Sequence, residues 1–338
     1  MKNWRIEISV LVALAAAICG TAPAQKKPKD NLAGYDRSAR ATLLHPAIVY
    51  VSPDNDAAHV TQVDPGHEVV ITQHNGAWVR VFANTDAPDQ QGDDAPEFGT
   101  ETADPQSGWI KDKGVVTPAT VNGDAILFGA AANLEDEAAH PHAPKGAADQ
   151  AHLLYRRVYE YYPNSALAAE AMYRAADIRW QLERADISTL PSAKEQEAYL
   201  RPQIYEGDMQ KVMKLYPGTK FAALAAWDLL DNKLCGDWQG LPKCPELEAG
   251  LYEGYANRYP DSPKAAQALY EATYREGVLV DMYQVQDEKK RADQAAANAQ
   301  GLADQMKKKY PESDYAARAE SIAYRVLQGL SVYGNDRE

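Results

Sequence analysis

The sequence predicts a multidomain β + α protein: a small β-barrel followed by an all-α array of about four helix pairs. Three observations predict it. Residues 41–118 hold short β-branched runs broken by turn residues, one ten-residue pattern recurs four times after Tyr162, and a polar stretch separates the two regions. The chain has 338 residues, 45% hydrophobic and 25% charged, with a net charge of −13. That length is a prior for two domains. That acidity repels phosphate backbones and argues against nucleic acid as the main ligand.

The elements are justified in chain order. Residues 1–24 read as a secretory signal peptide. Lys2 and Arg5 give a basic start, Ile8 to Ile18 an apolar stretch, and Ala22-Pro23-Ala24 a small-residue cleavage site. No later apolar run is long enough to span a bilayer, so the mature chain is expected without a transmembrane span, exported to the periplasm or cell envelope. Cys19 offers a lipid anchor as the less favoured alternative, because Ile18 stands where lipoprotein sites carry a small residue.

In 41–118, Ile48-Val49-Tyr50-Val51 ends at the turn Ser52-Pro53-Asp54-Asn55. His67 to Thr72 follows Asp64-Pro65-Gly66, and His74-Asn75-Gly76 is a hairpin signal before Trp78-Val79-Arg80-Val81-Phe82. Gly108-Trp109-Ile110 opens the last strand. An insertion at 85–107 lies in a stretch with seven acidic residues and no lysine or arginine, and reads as a loop. The series Val49-Tyr50-x-Ser52-Pro53, Val60-x-x-Val63-x-x-Gly66, Val69-x-Ile71, Gly76-x-Trp78-x-Arg80-Val81 and Gly108-Trp109-Ile110 resembles the bacterial SH3-like domain. The resemblance implies an accessory module for cell-wall peptides or protein partners. Trp78 and Trp109 are its candidate binding aromatics. The competing role for both is core packing in a small barrel, and that is the role expected.

Residues 119–146 are expected to be a polar linker or short helix, with Glu135, Asp136 and Glu137 and then His140-Pro141-His142. A polar linker implies domains that fold separately. The His-x-His pair beside proline reads as solvated rather than metal-binding.

Residues 147–332 hold the repeats. Tyr-Pro-x-Ser/Thr-x-x-Ala-Ala-x-Ala begins at Tyr162, Tyr216, Tyr259 and Tyr310, at spacings of 54, 43 and 51 residues. A residue before proline is pushed out of helical geometry, so each tyrosine ends a helix. Ser165, Thr219, Ser262 and Ser313 are placed to cap the next helix. The alanines after them let two helices approach closely. This signature resembles the tetratricopeptide-like repeats of the outer-membrane β-barrel assembly lipoprotein and of the periplasmic Tol-Pal coordinator. It implies a protein-binding scaffold.

Without Cys19, Cys235 and Cys244 are the remaining cysteines. Separated by a loop with Gly236, Gly240 and Pro242, they suggest a disulfide in an oxidising compartment. Two buried thiols or a zinc pair are the other readings. No serine elbow, zinc-protease helix or phosphate loop appears, and no histidine follows His152 to serve a cysteine nucleophile. Glu246, Glu248 and Glu253 read as a solvated helix face. No catalytic residue, cofactor or metal site is therefore expected. The leading functional expectation is a non-catalytic envelope scaffold that binds a protein or peptide. The alternative is a peptidoglycan- or carbohydrate-binding module with its site on the barrel.

Overall fold

The computed structural model of the chain describes residues 39–83, 85–86 and 106–333. The expected leader at 1–24, Cys19 and most of the acidic insertion lie outside the described residues.

Seven strands form one antiparallel sheet: β1 (Arg40–Leu43), β2 (Ala47–Tyr50), β3 (His59–Val63), β4 (Glu68–Asn75), β5 (Trp78–Ala83), β6 (Gln106–Lys111) and β7 (Val115–Val116). Their order is β3-β2-β6-β5-β4-β1-β7, a curled half-barrel. The β4–β5 hairpin turns at Gly76, whose φ of +58° suits glycine, with Asn75 paired to Trp78. Alternation along the strands places Ala41, Leu43, Val49, Val63, Val69, Val79, Val81, Ala83 and Ile110 in one apolar core.

Nine α-helices follow among the described residues. They are α1 (Gly123–Ala138), α2 (Ala147–Tyr161), α3 (Ala168–Ser188), α4 (Gly207–Leu215), α5 (Lys220–Asp228), α6 (Lys243–Arg258), α7 (Ala265–Val285), α8 (Lys289–Lys309) and α9 (Asp314–Leu327). Each Tyr-Pro unit ends a helix in the same backbone state. Tyr162, Tyr216, Tyr259 and Tyr310 have φ of −124°, −125°, −127° and −134°, with ψ of 59°, 52°, 60° and 51°. In every case the tyrosine N–H still donates to the carbonyl four residues back.

The caps divide into two kinds. Thr219 and Ser313 cap α5 and α9, accepting from the N–H groups of Ala222 and Tyr315. Ser165 and Ser262 do not cap their helices. Their hydroxyls close a turn onto Leu167 and Lys264, and α3 and α7 begin at Ala168 and Ala265. Each hydroxyl has a further partner, Asp124 for Ser165 and Tyr255 for Ser262.

Of the two forms expected for it, the segment 119–146 takes the helical one. It contains the sixteen-residue α1, which buries Leu127 and Ala131 against α2 in a core shared with Leu154, Tyr155 and Val158. Glu135 on α1 accepts from Tyr155 of α2 and pairs with Arg174 of α3 at 2.9 Å. The polar tail Glu135-Asp136-Glu137 dominates this stretch of sequence, but Leu127, Phe128, Ala131 and Leu134 supply the apolar face that docks it.

The barrel and the helices are also joined rather than tethered. Gly66, at φ +84°, meets α2 so closely that a Cβ there would lie 2.6 Å from the Cβ of Leu153. Beside it sits a buried charge network. Arg157 of α2 is 0% exposed, donates from Nε to the Gly66 carbonyl at 3.0 Å, and pairs with Asp86 and Glu160. Glu68 on β4 pairs with Arg40 at 2.6 Å and lies 3.8 Å from Arg157. Burial alone would raise the Glu160 carboxyl, yet Arg156 and Arg157 hold it down at about 2. Asp86 is likewise held low against its burial by Arg157 and His67. At Glu68 burial wins, and its pKa is raised.

Candidate functional surfaces

Three places bring functional side chains together: the outer face of the sheet, the disulfide loop, and a set of half-buried side chains on α3, on α5 and at the start of α7.

On the sheet, the pleat sends Val79, Val81 and Ile110 inward and therefore Trp78, Arg80 and Trp109 outward. The core role expected for Trp78 and Trp109 is not what the structure shows. Both indoles are half-buried on the outer face, and aliphatic residues fill the core. The strict period of two around Val79 and Val81 carried this signal. Tyr50 pairs across to Trp109, Trp109 to Arg80, and Trp78 to Lys111. The Tyr50 ring meets Trp78 edge-on at 5.5 Å and His59 at 5.0 Å, and the Lys111 ammonium lies 5.7 Å from the Trp78 ring centre. Phe82 extends the face, 40% exposed.

Cys235 and Cys244 stand at disulfide distance, with Sγ atoms 2.11 Å apart and Cα atoms 5.9 Å apart. The loop between them is organised by Glu248, which is 2% exposed rather than solvated as expected. Its carboxylate accepts from the Cys235 N–H at 3.0 Å, the Trp238 indole at 3.1 Å and Arg275 Nε at 2.8 Å. Trp238 packs near Tyr274 and Tyr333. The loop also binds the long α3–α4 connection, where Gly236 and Asp237 donate to the carbonyls of Glu195 and Lys194. The two insertions that lengthen the repeat period therefore pack on each other. His140, by contrast, is exposed and 3.8 Å from Asp136, apart from all three places.

The part of α3 up to Trp180 buries most of its side chains and leaves Tyr173, Arg174 and Asp177 half-buried, with Gln181 exposed beyond them. Tyr173 donates to Asp228 of α5 at 3.0 Å, and Lys264, just before α7, lies 5.6 Å from the Trp227 ring centre. Burial and then the charge of Asp177 push Asp228 up to about 7, and burial raises Asp177 as well. α3 packs beside α5, and α7 beside α9. Sequence reasoning missed Asp177 and Asp228 because they lie on different helices 51 positions apart, with no motif linking them.

Among the described residues, no group of three or more His, Cys, Asp or Glu side chains is arranged to hold a metal ion, and no helix is long and apolar enough to cross a membrane. No protein-family model and no curated protein sequence matches the chain.

Proposed function

We propose that this protein is a non-catalytic scaffold of the cell envelope, exported by its leader, that holds a polypeptide on a tetratricopeptide-like helical stack. In this reading the barrel is an SH3-like accessory module. The observation that carries it is the repeated helix end. Four tyrosines end successive helices with one backbone geometry, which supports a repeated helix-pair arrangement of the kind protein-binding solenoids use. Of the groups on α3, on α5 and at the start of α7, Tyr173 and Trp227 are of the aromatic types enriched in protein interfaces. Binding of envelope proteins by the full chain, weakened by Asp177→Lys and Trp227→Ala but not by changes on α8, tests the reading. Equal binding by all variants would contradict it.

The alternative, a peptidoglycan- or carbohydrate-binding module, gains support from the outward placement of Trp78 and Trp109. It expects the full chain to sediment with purified cell wall and to lose that ability on Trp109→Ala.

A further inference from the structure

The sheet face formed by β2, β6 and β5 carries two aromatic residues of one kind and two unpaired cations on a strongly acidic protein. Arg80 and Lys111 are exposed, and neither has an ion-pair partner among the described residues; the Lys111 ammonium meets only the Trp78 ring. Around them stand Ile48, Tyr50, Phe82 and Trp109. No carboxylate lies on these outward positions of the three strands.

The chemistry of the face decides what fits it. A guanidinium, an ammonium and two indole N–H groups are donors without acceptor capacity. A neutral glycan presents hydroxyls that need acceptors as much as donors. An acidic polypeptide presents acceptors in excess, carboxylates and backbone carbonyls, together with apolar side chains for the indoles. Trp, Tyr and Arg are also the residues that dominate protein-binding hot spots.

We propose that the β2–β6–β5 face is a second docking surface, separate from the helical stripe, and that its partner is an acidic, extended protein segment. Carboxylates of the segment pair with Arg80 and Lys111, while its apolar side chains rest on Trp78, Trp109 and Tyr50. Arg80 and Lys111 give this face a local positive charge on an acidic protein, which favours the approach of a negatively charged segment.

The test uses the full chain and a short fluorescein-labelled peptide in which glutamate alternates with valine, beside a counterpart with lysine for glutamate. The acidic peptide is expected to bind, to weaken with salt, and to quench tryptophan fluorescence; the basic one is not. Arg80→Glu with Lys111→Glu should weaken binding about ten-fold or more, and the exchange Arg80→Lys with Lys111→Arg should retain most of it. Melting curves check that these exposed substitutions leave the fold intact. Equal affinity for both peptides, no binding of the acidic one, or no effect of charge reversal overturns the proposal. So does cell-wall sedimentation through Trp109 that the acidic peptide fails to compete, which would give the face to a glycan.

Discussion

Arg157 on α2 donates from Nε to the carbonyl oxygen of Gly66 at 3.0 Å, across the boundary between barrel and helices. The same guanidinium pairs with Asp86, just beyond β5, and with Glu160 one turn along its own helix. One buried side chain thus ties together two regions that the sequence presents as separate. Removing one partner of a buried ion pair leaves an uncompensated charge, which costs about 3–5 kcal/mol. Arg157→Met is therefore expected to split a single cooperative unfolding transition into two, read by fluorescence for the barrel and far-UV circular dichroism for the helices. A single transition in the variant would show that the junction is not what couples them.

Acid should loosen the same junction. Asp86 and Glu160 are held below their ordinary values, so the stability they contribute is present above the unfolded carboxylate range. It is lost as pH falls from about 4 toward 2. Glu68, raised by burial, acts in the opposite sense and shallows the acid limb. Denaturant midpoints measured between pH 7 and 3 should fall less steeply in Arg157→Met than in the parent.

Asp228 gives a second pH dependence of opposite sign. Its folded value of about 7 exceeds the ordinary carboxylate value, so the folded state binds the proton more tightly. Its cost is absent below pH 4, grows as pH rises to about 7 and is constant above. Asp228→Asn keeps an acceptor for Tyr173 and should stabilise by about 1–2 kcal/mol at pH 8, after allowance for partial exposure, with little gain at pH 4. Asp177, Asp231, Lys264 and Tyr173 are the neighbours that share this titration. A gain at pH 4 equal to that at pH 8 would contradict the assignment.

Much of the fold was legible because its signals are local. Proline after Tyr162, Tyr216, Tyr259 and Tyr310 dictates a helix end whatever surrounds it, and alternation around Val79 dictates a strand. The joining of the two regions was not legible. Arg157, Glu68 and Asp86 look like ordinary surface charges in the sequence, and only the approach of Gly66 to Leu153 buries them. Glu248 was misread for the same reason, since its three donors come from the disulfide loop and α7. The residues of the helical stripe were hidden because they are spread over helices far apart in the chain.

The disulfide loop and Glu248 should act together. Closing a loop of this length is worth roughly 2–3 kcal/mol in the chain-entropy account. Cys235→Ser with Cys244→Ser should lower the melting temperature by several degrees while keeping helical content. Glu248→Ala should cost more, because it leaves Arg275, the Trp238 indole and the Cys235 N–H without their shared acceptor. Two free thiols titrated in the native, non-reduced protein would remove the basis for the comparison.

Truncation checks the place of α1. A fragment that begins at residue 147 strips α1 from Leu154, Tyr155 and Val158. It should unfold at lower denaturant than a fragment beginning at 119, and bind more of a dye that senses exposed apolar surface. Equal midpoints would return 119–146 to the role of linker.

The central claim is that a polypeptide lies along the stripe of α3, α5 and α7. A photo-crosslinking side chain placed at Gln181 on α3 or Gln267 on α7 of the full chain, with Lys290 on α8 as the control, tests it most directly in envelope extract. The account predicts discrete polypeptide adducts from the first two positions that Asp228→Lys abolishes, and none from the third. Adducts of equal yield at all three positions, or none at any while the chain sediments with purified cell wall, would contradict it.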